Sequence, residues 1–282
     1  MPGSIRLTAA EATARWLSPD RLTLALARFH DAGILVLENV YPEHFIGEVR
    51  AGHDAALDGF LHSKGGLDAL AGKTFGERHI GYFPPLTGPV GNPDLLAHPI
   101  ACQIMDAVLG DDFRCSFVHT NTAFPGSGYQ PIHRDTGPLF DKRNPVSHPT
   151  AILVVNIPLC PFTEENGSTE VWPGTHWIPD RPGDNPGDIG PRSDPFPSMR
   201  TNLPVGALVL RDLRVWHRGM PNRSDRHRTM MAIVHQRGWM DEKRITIPES
   251  TWAGWPDRVR RIFRHNTVVP DADHRPRTWE DG

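Results

Sequence analysis

The sequence predicts an α+β fold in which helices come first and a β core follows. Two observations carry this. Helical periodicity and helix caps are confined to roughly the first 110 residues. After Gly110 the texture changes to short apolar runs between Pro/Gly turns with no helix between them, which suggests an antiparallel sandwich or barrel. A third observation is that 38% of the 282 residues are hydrophobic, enough for a sizeable core.

The elements follow in order. Ser18 caps a first helix, Pro19 opens it, Leu22, Leu26 and Phe29 share a face, and Gly33 ends it. Ile34–Leu37 reads as a short buried strand. A second helix starts near Pro42 and runs through Phe45, Val49 and Leu57. Residues 59–92 are irregular. A third helical region spans Pro93 to Leu109, broken at Pro99 and closed by Gly110. The predicted strands are Phe113–Phe124, Tyr129–Asp135, Ala151–Leu159, Ser168–Trp172, Val205–Leu210, Arg214–His217 and Arg228–Gln236. Residues 179–200 carry six prolines and read as a mobile lid without ladder partners. The basic tail Arg258–Arg264 reads as a solvated helix face.

Composition excludes several classes. Lys+Arg is 30 against Asp+Glu 33, so neither nucleic acid nor an anionic membrane is expected as a partner. No run of ~18 apolar residues and no apolar signal core occurs, so a cytoplasmic protein acting on a small molecule is expected, of unknown oligomeric state. The three cysteines form no C-x-x-C pair, which disfavours disulfides and thiolate metal sites. The 15 histidines invite a search for metal ligands.

His133-Arg134-Asp135 places an imidazole and a carboxylate on one side of an extended chain. Alone the pair means little, since chance supplies about two H-x-[DE] pairs here. The H-R-D triplet lacks the Gly-rich loop, strand lysine and D-F-G of a protein kinase. Context raises its weight. His217 ends a predicted strand, and the next begins at Arg228. A hairpin with its tip at Asn222/Arg223 sets His217 opposite Arg228, with Arg223 in water. Two histidines and a carboxylate that leave other metal positions open are the ligand set of non-haem Fe(II) oxygenases. An Arg beside them suits a carboxylate co-substrate.

His133-x-Asp135, His217 and Arg228 eleven places on, with Gln130 and the stretch Glu165-Asn166-Gly167 … Pro173-Gly174-Thr175-His176, resemble the phytanoyl-CoA dioxygenase-like Fe(II)/2-oxoglutarate oxygenases. Leu213–Asn222 and the E-N-G stretch are similar in particular to the kanamycin B dioxygenase branch. The resemblance implies a double-stranded β-helix (jelly-roll) core flanked by N-terminal helices. The resemblance spans at least Leu35 to His235, and the order of elements reads as one domain over 1–282, helical to about 110, with the jelly-roll core over about 111–240 and a C-terminal extension over 241–282. It implies Fe(II) on His133, Asp135 and His217, 2-oxoglutarate on Arg228, Gln130 and Thr169, and dioxygen as oxidant. The implied reaction oxidises an unactivated C–H bond, with hydroxylation as the default outcome and desaturation, epimerisation or ring formation as variants. Asp135 speaks against halogenation, since related halogenases have a small residue there. A zinc hydrolase on the same three residues and a non-catalytic jelly-roll binding protein are the rival readings.

For the substrate, residues 73–83 are expected near the pocket, with Arg78, His79 and Tyr82 suiting a polar or anionic molecule. The kanamycin-like wording suggests a polar natural product or amino sugar, for which Glu77, Asp141 and Asp180 are the candidate acidic contacts. Asn156, His119 and Asn121 are candidate pocket residues, and His176 reads as a turn residue rather than a ligand.

Overall fold

The computed structural model describes residues 4–70, 76–137, 139–140, 146–181, 184–240 and 245–275. Its helices are α1 (Ala9–Ala14), α2 (Pro19–Ala32), α3 (Glu43–Ser63), α4 (Pro93–Leu96), α5 (Pro99–Leu109), α6 (Glu249–Gly254) and α7 (Asp257–Phe263). Its strands are β1 (Ser4–Arg6), β2 (Ile34–Glu38), β3 (His79–Tyr82), β4 (Arg114–Ala123), β5 (Ile152–Pro158), β6 (Glu170–Trp172), β7 (Met199–Arg200), β8 (Leu208–Asp212), β9 (Trp216–Arg218), β10 (Arg228–Gln236), β11 (Thr246–Pro248) and β12 (Thr267–Val269).

The α2 boundaries have local causes. The Ser18 hydroxyl accepts a bond from the Arg21 amide, and Pro19 supplies a preset φ. Gly33 ends the helix at φ +70, where a Cβ would stand 2.4 Å from the His176 ring. Pro99 separates α4 from α5, and both turns are opened by a side-chain cap, Asn92 and His98. The Thr8–Glu11 capping box of α1 is in the sequence and was not read from it.

Seven strands form a large sheet in the order β1-β2-β8-β5-β10-β4-β3, and three short ones form a second in the order β7-β6-β9. β5 and the middle of β10 read as nearly unbroken apolar runs because both faces are covered. Leu153, Val155 and Ile157 of β5 join one apolar cluster with Phe29 of α2, Ile46 of α3 and Ile100 of α5. Full burial of such a side chain contributes ~1.5–3 kcal/mol. The other face looks towards the short sheet, and Val36 and Val209 pack there against Val171 and Val215. The alternation along β5 and β10 turns Ile152, Val154 and Asn156, and Arg228, Met230, Ala232 and Val234, into a cavity between the sheets.

Three expectations need correction. No hairpin joins His217 to Arg228: β9 belongs to the short sheet, while β10 lies between β5 and β4 with Arg228 beside Ala123. The chain crosses between sheets where a hairpin was expected. Tyr129–Asp135 is not a strand but an irregular segment joined to β9 by one bridge, His133 to His217. Residues 179–200 do have ladder partners: β7 pairs with β6, and Ile189 and Pro186 bond to the backbones of Ile132 and Arg134. The basic residues Arg258, Arg261 and Arg264 are exposed along and just after α7, as expected, while Val259, Ile262 and Phe263 on its other side join the main core. Among the described residues no helix is long and apolar enough to cross a membrane.

Candidate active site

His133 and His217 face each other across their bridge with ring centroids 4.3 Å apart. The Nδ1 of each lies by a carbonyl two residues earlier, Pro131 at 2.8 Å and Val215 at 3.1 Å. Donation from Nδ1 to those carbonyls leaves both Nε2 lone pairs free, as metal-ligating histidines require. Asp135 sends Oδ1 towards the same point, 3.6 Å from His133 Nε2 and 3.5 Å from His217 Nε2. Bonds of ~2.1 Å to a shared ion span such separations. Among the described residues these three form the one cluster of His, Cys, Asp and Glu with that geometry. All three cysteines are free and buried.

Electrostatics poise the cluster for a cation. Burial alone would raise the Asp135 carboxyl, but the fields of His217 and Arg211 and the His133 hydrogen bond hold it well below the usual carboxylate range. Burial, and next to it Arg211, pushes His217 well below its ordinary value, which keeps its lone pair available. Asp135 keeps a side-chain exposure of 34%, and it lines the cavity.

That cavity has a volume of about 540 Å³ and also receives Gln130, Thr169, Asn156 and Arg228. Arg228 is 1% exposed. One guanidinium nitrogen donates to the Gly167 carbonyl at 2.8 Å, while Nε and the other terminal nitrogen have no partner among the described residues. Burial lowers its pKa to about 10, so it is still a cation at neutral pH. A buried, charged fork with two unused donors is unfavourable unless an anion completes it. Arg223 and Arg226 are both exposed. Gln130 also accepts a bond from the Gly219 amide at 2.8 Å, bracing the chain just after β9. The Asn156 amide nitrogen is buried without a partner, and His119 and Asn121 line the cavity as well.

The sequence motifs acquire physical reasons. Gly167 sits at φ +81 with its Cα so close to Met220 that a Cβ would lie 2.5 Å from that carbonyl. Asn166 fastens the turn through Thr163 and Pro161. In Pro173-Gly174-Thr175-His176, the Thr175 hydroxyl donates to Trp172 and accepts from the Trp216 amide, next to His217. His176 bonds to the His30 carbonyl in the last turn of α2. The motif ties α2 to β9, and His176 is not a ligand.

The expected substrate contacts largely lie elsewhere. Arg78 bonds to Pro125, His79 bonds to Gly128, and Tyr82 packs against Phe60 in the core; none lines the cavity. Asp180 is buried in an ion pair with Arg134. Glu77 does not line the cavity either, and Asp141 lies outside the described residues. Sequence reasoning missed Arg211 of β8, which bonds to Asp135 at 2.6 Å. Its one signal was a charged pair, Arg211-Asp212, closing an otherwise apolar strand.

Two facing sheets with two histidines and a carboxylate converging between them carry the ligand set of the non-haem iron oxygenases. Residues 29–230 match the phytanoyl-CoA dioxygenase (PhyH) family, and the chain belongs to it. Among curated relatives, dioxygenase aneA of Aspergillus aculeatus is 30% identical over 120 residues, covering 41% of this chain and 39% of that protein. The iron/alpha-ketoglutarate-dependent dioxygenase ausO of Aspergillus calidoustus is 29% identical over 155 residues, covering 52% of this chain and 50% of that protein. The chain thus spans half or less of the length of these relatives. The solved epimerase SnoN from nogalamycin biosynthesis superimposes with a TM-score of 0.57 at 18% identity, covering 78% of this chain and 84% of SnoN. The carbocyclase SnoK from the same biosynthesis gives 0.58 at 20%, covering 79% and 85%. These likenesses show a shared fold, and with the family they imply that the two sheets form a double-stranded β-helix.

Proposed function

We propose that this protein is an Fe(II)- and 2-oxoglutarate-dependent dioxygenase that oxidises a C–H bond of a small natural product. The observation that carries the reading is one cavity holding both a three-ligand cluster and a buried arginine with two unused donors. His133, Asp135 and His217 would hold the iron, and Arg228, supported by Thr169 and Gln130, the distal carboxylate of 2-oxoglutarate. When bound, the iron and co-substrate supply the oxidising power, from dioxygen and decarboxylation of 2-oxoglutarate. The chain's own residues orient the co-substrate, keep Asp135 charged and hold the His217 imidazole neutral. The apolar lining of Phe117, Val154, Leu213 and Val234 excludes water from the reacting carbon.

Supporting an uncharged substrate, and speaking against a polycationic amino sugar, Asp135 is the only acidic side chain lining the cavity among the described residues. Asn156, Asn121 and His119 offer neutral polar contacts; burial holds the His119 pKa at about 4. The zinc-hydrolase reading leaves Arg228 without a task.

The test is anaerobic addition of Fe(II) and 2-oxoglutarate. A weak visible charge-transfer band is expected in the native protein and none in His133→Ala or His217→Ala, with unchanged circular dichroism. Hydrolysis that depends on zinc and ignores 2-oxoglutarate would overturn the proposal.

A further inference from the structure

Arg211 is the charged residue of the site that the proposed chemistry does not yet use. It is the next-to-last residue of β8, between Ile34 of β2 and Val154 of β5, on the face that lines the cavity. Its side chain is 6% exposed, and its NH2 group donates to Asp135 Oδ2 at 2.6 Å. The two oxygens of Asp135 therefore have different surroundings. Oδ1 faces both Nε2 atoms, and Oδ2 is held by a guanidinium. The remaining Arg211 contact reinforces this. NH1 lies 3.2 Å from His217 Nδ1, but in the ligating tautomer that nitrogen carries a proton and points at Val215. Arg211 then has one acceptor among the triad side chains, and it is Oδ2. The backbone fixes the pair further, because the Asp135 amide donates to the Leu213 carbonyl two residues beyond Arg211.

We propose that Arg211 is a positioning residue that restrains Asp135 to one-oxygen coordination, so that a chelating 2-oxoglutarate finds two adjacent positions open on the iron. The inference rests on the oxygenase reading above. Three ligands leave three positions on a six-coordinate ion. A carboxylate that chelates with both oxygens removes one of them, and a keto acid whose far end is fixed on Arg228 then has to displace Oδ2 to reach its pair of positions. A charge-assisted hydrogen bond to a carboxylate is among the stronger ones available to a side chain, and the buried site shields it from water. Competing for Oδ2 costs the metal that bond. Lys offers the charge without the planar fork, and Met offers neither.

The experiment compares native protein with Arg211→Met and Arg211→Lys in anaerobic titrations. Fe(II) affinity is measured first, then 2-oxoglutarate affinity from the charge-transfer band. In Arg211→Met, Fe(II) should bind as tightly as in the native protein or better, while the 2-oxoglutarate Kd rises at least 10-fold. Arg211→Lys should recover part of the loss. This split separates positioning from scaffolding, since a loosened site would weaken both ligands together. If Arg211→Met does not hold its fold, Arg211→Gln serves, being shorter and unable to reach Oδ2. A native band reproduced by the variants at unchanged Kd overturns the inference and leaves the oxygenase reading standing. Loss of Fe(II) and 2-oxoglutarate binding in parallel also overturns it. Absence of any band in the native protein removes both.

Discussion

Arg228 gives the sharpest prediction for a single residue. Hydrogen bonds to charged groups contribute ~1.5–3 kcal/mol each, and Arg228 holds two unused donors towards the cavity. Arg228→Met should raise the 2-oxoglutarate KM by at least ~10-fold, at roughly 1.4 kcal/mol per decade. The KM for the primary substrate should move much less. Arg223→Met and Arg226→Met, both at exposed positions, should be near silent in steady-state kinetics. An unchanged 2-oxoglutarate KM in Arg228→Met would remove this residue from the co-substrate site. The residues the structure brings together at the triad were legible from spacing and family wording. Arg211 was not, because its role depends on which face of β8 it occupies, and a one-residue shift in strand register reverses that. Arg228 does line the cavity, but the geometric argument that put it there does not hold. The hairpin count assumed that consecutive strands pair, whereas this topology sends them to opposite sheets.

The connection between β9 and β10 is the element on which that crossing depends, and Asn222 organises it. Asn222 is 1% exposed. Its amide nitrogen donates to the Ala123 and Arg226 carbonyls, and its side-chain oxygen accepts from the backbone and hydroxyl of Ser224. Its backbone amide donates to the Ser127 hydroxyl, and its carbonyl accepts from Gly126. At ~1 kcal/mol net per bond, and more for groups left buried and unpaired, Asn222→Ala should cost ~2–4 kcal/mol in urea unfolding. Asn222→Asp should cost nearly as much, since it loses both donors. A loss below 1 kcal/mol for the alanine variant would show that the crossing is held by its neighbours. From sequence this residue reads as half of a hairpin tip. The helices were easier: Ser18, Pro19, Gly33 and Pro99 act within one turn of chain, so their effect can be read locally. Tyr129–Asp135 failed for the opposite reason, since its backbone partners lie in residues 186–189 and in β9, which no local pattern reveals.

Across the whole molecule, buried histidines set the response to acid. Burial holds His79 and His98 at about 4 and His235 at about 3. In the unfolded chain each titrates near ~6.5. Between those values the unfolded state binds protons that the folded state refuses. Stability is therefore complete above pH ~6.5 and falls as pH drops towards 4, by about 1.4 kcal/mol per pH unit per histidine. Urea midpoints measured from pH 7.5 to 4 should be flat at the top and then decline steeply. His235→Asn should shallow that decline, and a midpoint independent of pH would contradict the assignment. Residues from both ends of the described chain share one apolar cluster, Leu7 and Leu17 with Trp255 and Phe263, so acid unfolding should be a single transition.

The two sheets are unequal partners. The large one has strands of up to ten residues, while the short one is built from pieces of two and three, and the His133 segment joins it through one bridge. All three triad residues hang on that lighter half, and Arg228 and Arg211 on the heavier one. Reactivity thus depends on the alignment of a sturdy wall with a slender one. Wear, in the form of heat or a stray substitution, will reach the slender wall first, leaving a molecule that keeps its outline after it has lost its trade.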